Sequence, residues 1–384
     1  MPDQPPADAP PLVTRVEIPT PPAPVPRKPR PGFWAAVLWC LFFLAVQLGT
    51  AIAMIVAFLG VAAARSDDAG KFLTEQLDGF VKAAAKAGPN DPPPQQIPTV
   101  LAQSLAYGML AAQVASVGAI LLVVPRVVGR DWKRQIGVRV PAGLHVFLAV
   151  LVVPAFMLLA EGIQELFLRL TGITRPAANE ALNGTFATVP LFVTLLAVAV
   201  GPGVVEEFWC RGFLGRGLCA RYGLRWGVLA TSVLFGMLHM DPSLVFITGL
   251  MGAYLHFVFL AARSIWVPVV LHLLNNGLTI LALLSPTLVA AGKALQEDKQ
   301  GYRAVIDIAA LGLIVFASAA LWTSRAKLSD DATASGWEPE YPGVSAPPPE
   351  AQRRIEYGDL SPAAMVLALA SFGVLAYLLS QYAP

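Results

Sequence analysis

The stretch "VVEEFWCRGFLGRGL", Val204 to Leu218, closes a long apolar run and sets two adjacent glutamates and an arginine where the flanking residues call for lipid. A charge at a bilayer centre costs at least about 2.5–3.5 kcal/mol on insertion scales, so an ionisable group there points to function by default. The composition supports the membrane premise. The chain has 384 residues, 56% of them apolar and only 14% charged, with a mean hydropathy of +0.62. Soluble domains carry about 25% charge. Several apolar runs reach the ~20 residues that cross a bilayer. The fold class read from this is all-α, a polytopic transmembrane helix bundle of eight or nine spans. A net charge of +2 is too small to argue for nucleic acid; the bilayer itself is the implied partner. Three cysteines in or beside apolar runs do not make a secreted disulfide framework.

Working outward, the apolar runs give nine candidate spans, near 33–63, 100–125, 143–168, 190–218, 226–240, 243–262, 264–288, 304–324 and 361–381. The fifth is the weakest and need not cross fully. Residues 1–32 are rich in proline and poor in large apolar residues, which reads as a disordered arm. The run from Phe33 to Ala64 is too long for the h-region of a signal peptide and reads as the first span. Residues 33–188 then hold N-terminal transmembrane helices, 189–282 a catalytic core, and 283–384 C-terminal helices with a mobile loop at 326–360. Arg27, Lys28, Arg30, Arg126, Arg130, Lys133, Arg134, Arg216, Arg221, Arg263, Arg325 and Lys327 fall on one side if the spans alternate. That bias predicts a cytoplasmic N-terminus and an external C-terminus; the expected location is a bacterial cell membrane.

Helix geometry sorts the polar residues inside the apolar region, because residues four apart share a face. Glu207 pairs with Arg211, Phe235 with His239, and His272 with Asn276. Adjacent residues point about 100° apart, which leaves Glu206 outside the Glu207 pairing as a free carboxylate. Counting about 1.5 Å per residue from Leu218, Trp226 and Ser264 puts Glu206 at ~18 Å, His239 at ~20 Å and His272 at ~12 Å depth. Three spans thus bring an acid and two imidazoles toward one level. Pro202 in "GPG" is expected to kink or start a helix, setting the glutamates near a helix N-terminus beside a water-filled pocket. Other polar groups read as structural: His256 as a packing residue, His145 as interfacial, and Glu161, Glu165 and Arg169 as a pairing near the external interface.

A glutamate beside imidazoles can activate water as a general base. An amide or imidazole N–H can stabilise an oxyanion. Alternatively Glu206, His239 and His272 could hold zinc with one position left for water. Cys210, four residues from Glu206, has no adjacent histidine to activate it as a nucleophile.

These residues resemble a known family. "EEFWCR" is similar to the EExxxR motif of the CAAX prenyl protease and bacteriocin-processing (CPBP, or ABI) intramembrane proteases, "FGMLH" to its FxxxH motif and "HLLNN" to its HxxxN motif. The resemblance covers about 190–280. It implies an intramembrane endopeptidase of glutamate or metallo type, in which Glu206 activates water with His239. His272 and Asn276 would stabilise the oxyanion or help hold a metal, and Glu207, Arg211 and Phe235 would shape the site. It also implies a membrane-associated or lipidated peptide or protein as substrate. Two rival readings stand beside it: a proton-coupled transporter, which should show repeated halves, and a non-catalytic scaffold or immunity protein on the same fold.

Overall fold

The computed structural model describes residues 30–84, 97–129, 132–174, 185–298, 301–330 and 353–382. The proline-rich arm, apart from its last three residues, and the middle of the 326–360 loop lie outside the described residues. The described chain is a helix bundle. In order it contains α1 (Phe33–Ala63), α2 (Ala69–Ala84), α3 (Thr99–Val128), the short α4 (Trp132–Gln135) and α5 (Gly143–Thr171). Then follow α6 (Leu191–Tyr222), α7 (Leu224–Leu238), α8 (Pro242–Ala262), α9 (Trp266–Leu284), α10 (Pro286–Glu297), α11 (Arg303–Thr323) and α12 (Pro362–Ser380). Among the described residues eight helices are long and apolar enough to cross a membrane: α1, α3, α5, α6, α8, α9, α11 and α12. The chain is an integral membrane protein.

The weakest candidate span, 226–240, is the 15-residue α7, which at about 1.5 Å per residue falls short of a ~30 Å hydrocarbon core; eight spans in an all-α bundle is the lower of the two expected counts. One expectation is corrected: the 326–360 segment is not loop throughout. Its ends pair as antiparallel strands β1 (Ala326–Asp330) and β2 (Arg353–Tyr357), with Ala326 opposite Tyr357. The physical reason lies in the packing of α11 against α12, which brings the two chain ends together. The Gly358 N–H then bonds Arg325 O at 3.1 Å, and Ser361 N–H bonds Thr323 Oγ1 at 3.2 Å.

Helix starts follow a repeated local rule. Asp241-Pro242, Ser285-Pro286 and Ser361-Pro362 each place a side-chain oxygen on an orphan N–H of the first turn, with proline just inside. Proline is well suited there, since its missing N–H would be unsatisfied in any case. Two apolar clusters fill the bundle. One joins α5, α8, α9, α11 and α12; the other joins α1, α3, α6 and α7 with parts of α8 and α9. The polar residues of interest lie where these clusters meet.

Candidate active site

The site is built on α6, which runs through Pro202 without breaking. The expected helix start at "GPG" is therefore absent, and with it the argument from a helix N-terminus. A wide π-turn at Leu196–Val200 directly precedes the proline, and a second covers Phe208–Gly215. A wide turn relieves the clash of the proline ring with the carbonyl four residues back. Proline also removes an N–H, and the carbonyl that loses it belongs to Val198. Asn276 Nδ2 of α9 donates to that oxygen at 3.0 Å. Asn275 Nδ2 in turn donates to Asn276 Oδ1 at 3.2 Å. The sequence reading missed this use of Asn276; the signal was Pro202 itself, whose missing N–H leaves a carbonyl in need of a donor.

Close approach of α6 and α9 depends on glycine. A Cβ at Gly203 would stand 3.1 Å from Leu273 N and Cβ. One turn on, Glu207 faces α9 and is fully buried. Its Oε1 accepts from Arg211 Nη1 at 2.7 Å and lies 2.8 Å from His272 Nδ1. A carboxylate that takes a guanidinium hydrogen bond is an acceptor only, so Nδ1 of His272 carries the hydrogen. In the neutral ring that tautomer presents the lone pair of Nε2. Arg211 is equally buried. It spends a second donor on Gly252 O at 3.0 Å, and its guanidinium lies 4.2 Å from the centre of the Phe235 ring. A Cβ at Gly252 would come within 3.1 Å of that ring and 3.3 Å of Arg211 Nη2, so glycine is what lets α8 close on the arginine.

Glu206 points elsewhere, as two adjacent helical residues must. Its Oε2 lies 4.0 Å from His272 Nε2, is buried, and has no hydrogen-bond partner among the described residues. Separations above about 3.5 Å between polar atoms are the span that one bridging water fills. The structure thus brings Glu206 and His272 together from helices 66 positions apart, closing the gap in depth that counting from the helix ends had left. His239 ends α7 and places Nδ1 3.1 Å from Phe235 O. In the neutral ring that fixes the hydrogen on Nδ1 and leaves Nε2 an acceptor, a form suited to handling water or a proton rather than to donating to an oxyanion. Phe235 stands edge-on to both imidazoles, with ring centres 5.2 Å from His239 and 6.1 Å from His272. It is the spacer between the two histidines.

The zinc alternative fits this donor set poorly. Among the described residues no group of three or more His, Cys, Asp or Glu side chains stands together in a way that could hold a metal ion. Glu206, His239 and His272 do not gather as ligands. The remaining polar residues fall outside the site. His256 is buried beside Cys219, with Sγ to Nε2 at 3.8 Å. His145 is buried rather than exposed at an interface, with Nε2 2.9 Å from Ser324 O. Glu165 pairs with Arg169 on an exposed face, and Glu161 accepts from Gln296 at 3.0 Å. Cys210 is fully buried in the α1–α3–α6 cluster.

Comparison with known proteins agrees with this geography. Residues 188–278 match the family described as type II CAAX prenyl endopeptidase Rce1-like. A segment of the chain is 29% identical over 116 residues to a Bacillus subtilis (strain 168) protein named "Putative membrane peptidase YdiL". The aligned stretch covers 30% of this chain and 47% of that protein, about half its length. No solved structure matches. The matched residues hold all three motifs and every side chain that converges on Glu206 and Glu207; over residues 188–278, the chain is similar to the type II CAAX prenyl endopeptidase Rce1-like family.

Proposed function

We propose that the chain is an intramembrane endopeptidase that hydrolyses peptide bonds of membrane-associated or lipidated substrates. The observation that carries the reading is the arrangement Glu206–His272–Glu207–Arg211: a carboxylate and an imidazole lone pair 4.0 Å apart, the imidazole held by a buried acid that an arginine neutralises. A water between Glu206 and His272 gives up its proton to the Glu206 carboxylate as its oxygen attacks the scissile carbonyl carbon. The carbonyl oxygen becomes an oxyanion. Asn276 still has a second amide hydrogen after serving Val198, and that hydrogen is the donor assigned to the oxyanion. The proton on Glu206 then passes to the leaving nitrogen, the C–N bond breaks, and an acid and an amine leave. Glu207 and Arg211 are positioning residues, fixing the tautomer and direction of His272. The chemistry uses no transferred group beyond water.

The test is cleavage of a peptide library by the purified protein in lipid nanodiscs, with and without a chelator, beside Glu206→Gln. Cleavage by the wild type that is abolished in a normally folded Glu206→Gln variant is the expected outcome. Equal inactivity of the two proteins across the library would instead favour the non-catalytic scaffold. Loss of cleavage on chelation, restored by metal, would overturn the metal-free route.

A further inference from the structure

Residues between the first two spans carry mixed charge and read as loop, yet 69–84 form α2. Its side chains divide into three arcs. Phe72, Gln76 and Phe80 turn toward the bundle: Gln76 is buried, its Oε1 accepts from Leu101 N–H at 3.3 Å, and Phe80 packs with Ile55, Leu59, Ile97 and Leu101. Lys71, Thr74, Glu75, Asp78 and Lys82 form an exposed polar arc. Between these arcs lies a line at four-residue spacing, Leu73, Leu77 and Val81, exposed by 37%, 60% and 65%.

Position says what this line meets. α1 has 31 residues, roughly 46 Å at about 1.5 Å per residue, against a hydrocarbon core of about 30 Å. Ile55 lies about 33 Å along it from Phe33, where the helix leaves the apolar core. α2 packs against α1 at that level. The surface of α1 near that level is apolar and exposed, with Ile52 and Val56 exposed by 58% and 65%, as lipid contact requires. The polar arc carries two lysines and two acids, so its charge gives no reason to select anionic headgroups.

We propose that α2 is an interfacial helix that inserts Leu73, Leu77 and Val81 into the bilayer at the end of the bundle opposite the N-terminal arm. Helices that lie in the interface bury their apolar side about 5–10 Å into the headgroup boundary. The inference does not depend on the proposed peptidase activity. Its test is spin labelling of the full chain in phosphatidylcholine nanodiscs, at Leu73→Cys, Leu77→Cys and Val81→Cys against Thr74→Cys and Asp78→Cys. The native cysteines are buried, and unsubstituted protein serves as the labelling control. The ratio of oxygen to nickel-chelate accessibility should be severalfold higher at the first three positions than at the last two. Adding anionic phosphatidylglycerol should leave the pattern unchanged. Free access of the nickel chelate to 77 and 81 would overturn the proposal, and so would shielding of both positions from both probes, the sign of a second protein copy on this face.

Discussion

Asn276→Ala removes the donor that serves Val198 O, and Pro202 supplies no N–H in its place. A partly buried carbonyl left without a donor costs about 1–3 kcal/mol. Losing one oxyanion donor costs about 10²–10³ in kcat. The two losses are separable, because Pro202→Ala creates a new N–H four residues after Val198. In the double variant Asn276→Ala/Pro202→Ala, most of the stability should return while kcat stays low; Pro202→Ala alone should be near neutral. Stability is read from reversible unfolding in mixed micelles, and kcat from a peptide found in the library screen. If Asn276→Ala alone were as stable as the wild type, or if Pro202→Ala failed to restore a lost stability, the pairing of Pro202 with Asn276 would be refuted. Recovery of full kcat in the double variant would show that Asn276 acts on structure and not on the oxyanion.

Other expectations concern different parts of the molecule. Glu207→Gln leaves the Arg211 charge buried and should cost about 3–5 kcal/mol, whereas Glu207→Gln/Arg211→Met should recover much of that in the same unfolding assay yet stay impaired in cleavage. A reporter fused after Arg134 should read cytoplasmic and one fused after Lys82 external, as the Lys/Arg bias requires; the reverse result would invert the orientation. Outside the membrane, the Tyr382 hydroxyl donates to Asp298 at 2.6 Å and holds that carboxyl below its ordinary value. A depressed folded value means the unfolded chain binds more protons, so this contribution is present at neutral pH and lost as pH falls through the folded value. Asp298→Asn should therefore flatten the acid limb of the melting temperature measured from pH 7 to pH 3, and an unchanged limb would refute the role.

The eight spans were legible because burial in lipid writes itself as uninterrupted hydropathy, and the Glu207–Arg211 pair because four-residue spacing is visible in one dimension. The bond from Glu207 to His272 was not, since it joins residues 65 positions apart and the visible neighbour of His272 was Asn276. Sequence spacing set those two residues on one face and could not tell that they reach different partners on α6. α2 was hidden by its charges: averaged hydropathy is low over 65–88, although the four-residue rhythm of Leu73, Leu77 and Val81 was there to count. The strand pair could not be read locally, because what aligns its ends is the contact between α11 and α12.

The wide turns of α6 give the helix two places where chain length can change without rotation. Each holds one more residue per turn than an α-helix would. Deleting a single residue from Phe208–Gly215 would let that stretch wind as α while everything beyond it kept its heading. Arg216, now bonded to Gln135 Oε1 and Arg30 O, would stay turned toward both, and Glu206 and Glu207 would keep their bearings on α9. The same deletion in an α-helical stretch of α6 would instead turn one half against the other by about 100°. The wide turns thus act as slack in the helix, taking up a change of length that would otherwise reset the heading of one half while the other stays docked.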